Sequence, residues 1–107
     1  RIFESGVLGL DEDGRVLLVN PAASGLFGRS ETRIIGESLV ALFAASDRKA
    51  IQQAIGDLKK ARLPEDRHLE LRLGEQRVRL RLSSIVEDGV CSGILVILDA
   101  STPRTKH

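Results

Sequence analysis

The chain has 107 residues, 42% hydrophobic and 29% charged, with a formal net charge of +1. That profile fits one globular domain able to bury roughly 65% of its unfolded surface. It excludes a disordered tail, recruitment to nucleic acid by overall charge, and a bilayer span, which needs ~20 consecutive apolar residues. One cysteine, Cys91, rules out an intrachain disulfide and is compatible with a reducing compartment. The chain contains no Met, and it is expected to be a segment of a longer protein.

Residues 7–11 and 15–20 read as strands rich in Val and Leu. Glu12-Asp13-Gly14 supplies the turn between them, with Gly14 able to take a positive φ. Asn20 is a natural N-cap and Pro21 a natural first helical residue. The amide side chain accepts from a free backbone N–H, and proline has no N–H to leave unpaired. Ala22, Ala23, Leu26 and Phe27 give this short helix an apolar face, and Gly28 stops it. Ser30 is expected to cap a second short turn ending at Gly36, and a short apolar segment follows over residues 39–43. The longest helix is predicted over residues 47–62, with Ser46 as its cap. Ala50, Ile51, Ala54, Ile55 and Leu58 fall on one stripe at helical spacing, which should pack on a sheet.

Gly74-Glu75 has the form of a two-residue type II′ turn, which wants Gly first. It sets Leu73 opposite Gln76, Leu71 opposite Val78 and Leu69 opposite Leu80 on one face. On the other face Glu70 meets Arg79 and Arg72 meets Arg77. A one-residue slip would mix the two faces. The basic stripe of Arg72, Arg77, Arg79 and Arg81 has no interleaved aromatic for base stacking. It reads as a solvated strand face, so no nucleic-acid partner is expected.

The last strand, predicted over residues 92–99, is apolar without alternation, as are the first two. A sheet with one wetted face should alternate. The outer face is therefore expected to be covered, partly by an amino-terminal helix carrying Ile2 and Phe3 and partly by a second copy in a homodimer. Cys91 is placed between the last two strands as a small apolar residue, since a reactive thiol needs an electropositive, accessible setting.

Taken in order, these elements resemble a PAS domain. The residues that carry the resemblance are the Asp-Gly turn, the strand ending in Asn20, the Ala-Ala-x-x-Leu-Phe-Gly helix, Ile35-Gly36 and the closing Asp99-Ala100-Ser101. They look most like PAS domains of bacterial sensor histidine kinases of the nitrogen-regulation or phosphate-sensor type. The resemblance covers residues 6–101. It implies an α+β fold, a five-stranded antiparallel sheet with the helices packed on one face. Residues 1–5 would then end an upstream helix and residues 102–107 begin a downstream linker.

The resemblance also implies a non-catalytic sensory or relay domain in a cytoplasmic signalling protein, whose parent can be membrane-anchored. A cavity between the long helix and the sheet would be lined by Phe27, Leu39, Leu42, Ile51, Ile55, Leu71, Leu80 and Ile97 or its neighbours on that strand. Such a cavity would take a small apolar or weakly polar ligand. Asp99 and Ser101 would relay the signal into a following helix. The alternative it leaves is a ligand-free homodimerisation module in a kinase, cyclase or transcriptional regulator. Haem and flavin are not expected: residues 47–62 hold no His to ligate haem, His68 falls at the start of a strand, and the chain has no Trp or Tyr. Two His and one Cys do not make a metal site, no direct membrane contact is expected, and no motif ties Ser, His and acid into a triad.

Overall fold

Tight turns between successive extended segments force antiparallel pairing, and the sheet follows from them. A computed structural model describes residues 4–101. In chain order it contains β1 (Gly6–Leu10), β2 (Val16–Val19), α1 (Pro21–Phe27), α2 (Glu31–Ile34), α3 (Arg48–Lys59), β3 (Asp66–Leu73), β4 (Gln76–Glu87) and β5 (Val90–Ala100). Short 3-10 turns over Leu39–Leu42 and Ala45–Asp47 lead into α3. The five strands form one antiparallel sheet in the order β2-β1-β5-β4-β3.

The β3–β4 hairpin adopts the expected register, from Leu73 opposite Gln76 through Leu69 opposite Leu80. Gly74 takes φ 64 at the turn, a conformation that favours glycine. The β4–β5 hairpin differs from expectation. Asp88 and Gly89 both have positive φ, 54 and 75, the signature of a type I′ turn. The ladder therefore continues to Glu87 opposite Val90, and the last strand begins at Val90 rather than at residue 92. Cys91 lies within β5 opposite Val86, with its thiol 3.3 Å from the Gly93 carbonyl.

At the first turn Asp11 Oδ1 accepts from the backbone N–H groups of Asp13 at 2.8 Å and Arg15 at 3.0 Å. The Arg15 N–H chiefly holds this carboxyl below its usual range, against an opposing desolvation effect. Asn20 caps α1 as expected, and Gly28 ends it in the left-handed conformation. The long helix is shorter than the predicted residues 47–62, although it contains the whole apolar stripe. The preceding 3-10 turn runs straight into it, so Asp47 rather than Ser46 takes the cap position, with no side-chain cap bond. Beyond Lys59 the approach to Pro64 favours extended backbone. Ile51, Ala54 and Leu58 face the sheet and are buried, Ile55 is half-buried, and Ala50 is exposed.

One apolar cluster fills the space between sheet and helices. Leu8 and Leu10 of β1, Leu80 and Leu82 of β4, and Ile94, Val96 and Leu98 of β5 share this cluster with Ile51 and Leu58 of α3. Each such side chain stabilises the fold by about 1.5–3 kcal/mol through burial. The opposite face is divided. On β2-β1-β5 it presents Leu18, Val7, Leu95 and Ile97, and Leu18 lies across Gly9, where a Cβ would come within 3.0 Å of its Cγ. On β4–β3 it is charged, with Arg79 paired to Glu70 at 3.3 Å and Arg81 to Asp66 at 3.4 Å. Leu17 and Leu18 remain 60% and 54% exposed, so the described residues leave this end of the face open. Glu4 and Ser5 have no regular secondary structure, while Ile2, Phe3 and residues 102–107 lie outside the described residues.

Candidate functional site

The expected pocket residues divide into two groups. Leu39, Leu42, Ile51, Leu71 and Leu80 are buried members of the core cluster, and Phe27 and Ile55 pack against it. Phe27 meets Phe43 edge to face, with ring centres 5.6 Å apart and an interplanar angle of 77°. Ile97 is a correction. Leu80 faces the core and pairs with Leu98, so the alternation of β5 turns Ile97 to the outer face, opposite Val7 and Arg81. Leu98 and Val96 take the inward positions instead.

A side chain lining an open cavity keeps surface accessible to water. Leu39, Ile51 and Leu80 keep none, at 0%. The core between α3 and the sheet is therefore closed around them. Every buried side-chain N or O atom among the described residues has a hydrogen-bond partner. A pocket of about 490 Å³ lies elsewhere, beside α1, lined by Ala22, Gly25, Leu26, Gln76, Ala100, Glu4 and Asp99.

That pocket borders the place where the chain enters and leaves the domain. Antiparallel pairing sets Gly6 of β1 opposite Leu98 of β5, so both ends meet at one end of the sheet. Asn20 does more there than cap a helix. Its Oδ1 accepts from Ala23 N–H at 2.9 Å and from Val7 N–H at 2.8 Å, and its Nδ2 donates to the Ser5 carbonyl at 3.0 Å. The Ser5 hydroxyl donates to Asp99 Oδ1. Just beyond β5, Ser101 N–H donates to the Arg77 carbonyl at 2.8 Å. Arg79 stands across from Asp99, but its guanidinium pairs with Glu70.

The two residues expected to relay a signal, Asp99 and Ser101, are thus brought to this corner. Ser5 and the β1-facing bonds of Asn20 were not foreseen. The only sequence signal for them was the Asn-Pro pair, which marks a cap but says nothing about which strand the amide also reaches. Among the described residues no group of three or more His, Cys, Asp and Glu could hold a metal, and no helix is long and apolar enough to cross a membrane.

A family model described as PAS fold matches residues 4–105. No curated protein matches the chain. Solved structures of similar fold include a PAS domain from Colwellia psychrerythraea, 18% identical, TM-score 0.77, covering 96% of this chain and 90% of that one. A sensory box sensor histidine kinase from Vibrio cholerae is 14% identical, with TM-score 0.73 over 94% of this chain and 84% of that one. A domain of an HTR-like protein from Haloarcula marismortui is 16% identical, with TM-score 0.71 over 92% and 98%.

Proposed function

We propose, from the premise that this chain belongs to the PAS fold family, that it serves as a relay domain in a signalling protein. The parent in this reading is a cytoplasmic or membrane-anchored two-component sensor histidine kinase, and the domain itself catalyses nothing. The observation that carries the reading is the closed core. A ligand shifts a conformational equilibrium only by its difference in affinity between two states. With Leu39, Ile51 and Leu80 at 0% exposure, a ligand between α3 and the sheet would first have to open the core. Movement arriving through the incoming chain needs no such step, because β1 and β5 lie side by side at the centre of the sheet. The displaced β5 then carries the change through Asp99 and Ser101 into the segment that follows. This mode uses no haem or flavin, in keeping with an α3 that holds no His.

The experiment is a thermal-shift survey of the isolated domain against small apolar and weakly polar metabolites. The relay reading expects no saturable stabilisation. A compound that stabilises the domain saturably, and whose effect disappears when Ile51 is enlarged to Phe, would restore the cavity reading.

A second reading, association through the outer face, is favoured by the apolar strip of Leu18, Val7, Leu95 and Ile97. The partner is a second copy, and no nucleic acid or direct membrane contact is involved. Ile97→Glu places a charge on that strip without touching the core. Sedimentation should show a dimer dissociating; a monomeric starting protein, or an unchanged dimer, removes this reading.

A further inference from the structure

We infer that Ser5 and Asn20 act as positioning residues of a latch that ties the incoming chain to the outgoing strand, an inference that rests on the relay reading above. Ser5 is held from two sides. Its carbonyl accepts from Asn20 Nδ2 at 3.0 Å, and its hydroxyl donates to the Asp99 carboxylate. Asn20 is in turn fixed by Val7 N–H at 2.8 Å and Ala23 N–H at 2.9 Å. One continuous set of hydrogen bonds therefore joins the entry of β1, the start of α1 and the end of β5.

Three observations favour this path over one through the core. Ser5 and Asp99 are 94 residues apart, so the contact exists only where entry and exit meet in the folded domain. A hydrogen bond to a carboxylate is stronger than one between neutral groups, so it holds the segment more firmly than a backbone contact there would. The rival partner of Asp99 is engaged elsewhere, since Arg79 pairs with Glu70 at 3.3 Å. Displacing residue 5 frees Asp99 first. The next hold on the outgoing chain is then the single bond from Ser101 N–H to the Arg77 carbonyl, at 2.8 Å. The packed centre of β1 and β5 is undisturbed by that step.

The test is amide hydrogen exchange on the whole 107-residue chain, comparing wild type with S5A, S5T, D99N and the S5A/D99N pair. S5A should speed exchange at Ser101 by roughly three- to tenfold, the loss of one exposed hydrogen bond to a carboxylate, with Leu8 and Val96 unchanged. S5T keeps the hydroxyl and should restore the wild-type rate. The pair should exchange no faster at Ser101 than S5A alone, because S5A already removes the bond through which Asp99 acts, whereas the D99N side chain still offers an amide oxygen to Ser5. Faster exchange throughout the sheet would mark Ser5 as merely structural and overturn the latch. If S5A is silent while D99N speeds Ser101, the latch fails and the relay role of Asp99 stands. If both are silent, the latch and the relay reading of Asp99 fail together.

Discussion

Replacing Asn20 by Ala tests the corner of the molecule on which the relay depends. The substitution removes an acceptor shared by Ala23 N–H and Val7 N–H and a donor to the Ser5 carbonyl. Loss of an N-cap costs about 1 kcal/mol. Leaving the part-buried Val7 N–H unpaired adds about 1–3 kcal/mol. The Ser5 carbonyl also loses a part-buried donor, but an under-satisfied carbonyl costs less than an orphaned N–H, so this adds little. The sum is roughly 2–4 kcal/mol, a fall of about 10–25 °C in melting temperature for a domain of this size. Urea unfolding followed by circular dichroism measures it, provided the m-value is unchanged. Asn20→Asp keeps the acceptor and places a carboxylate at the start of α1, but sets an oxygen against the Ser5 carbonyl in place of the Nδ2 donor, so it should cost less than Asn20→Ala without being neutral. An Asn20→Ala cost below about 1 kcal/mol, or an equal cost for Ala and Asp, would refute the claim that the shared acceptor joins β1 to α1.

Gly93→Ala would set a Cβ 2.6 Å from the Leu10 carbonyl oxygen, which is backbone and cannot step aside. A loss of about 1–3 kcal/mol is expected in urea unfolding, and a neutral result would contradict the close approach of β5 to β1. Leu80→Ala removes a fully buried side chain from the middle of the core. It should cost about 2–5 kcal/mol and leave an apolar cavity that a small hydrocarbon such as benzene partly restabilises, whereas the wild type should show no such rescue. Asp11 has a folded pKa below its ordinary 3.8 because Arg15 and Asp13 N–H groups bond its carboxylate. Its contribution is therefore fully present above the unfolded value and is lost as pH falls through the lowered folded value. The stability gap between wild type and Asp11→Ala should be wide near neutral pH and narrow on strong acidification; urea midpoints that diverge as pH falls would reverse the assigned sign.

Much of the local structure is legible because its causes lie within a few residues. Asn20-Pro21 and Gly28 mark both ends of α1, since free N–H groups and the left-handed cap are local requirements. The β3–β4 register follows from Gly74-Glu75 and the alternation on either side, as only one pairing keeps Leu69, Leu71, Val78 and Leu80 on one face. The Asp88-Gly89 turn was equally legible, and reading it would have placed Cys91 inside β5. The Asp-Gly turn, the strand ending in Asn20, the Ala-Ala-x-x-Leu-Phe-Gly helix, Ile35-Gly36 and Asp99-Ala100-Ser101, taken in order, carried the family resemblance, which the PAS fold match over residues 4–105 bears out.

The order of strands, the facing of β5 and the corner contacts were decided only when the chain closed on itself. An uninterrupted apolar run from Ile94 to Leu98 has no alternation of its own, so its inward set is chosen by neighbours distant in sequence: Leu8 and Leu82 opposite Val96, and Leu80 opposite Leu98. That choice turned Ile97 outward. The same holds for Asp99, whose charge could have met Arg79 across the strand. Arg79 reaches Glu70 instead, and Asp99 meets a serine from the other end of the chain. Turns and caps are set by backbone geometry over a few residues, whereas the direction a side chain faces in a continuous apolar strand is set by packing among segments that only the folded chain brings together.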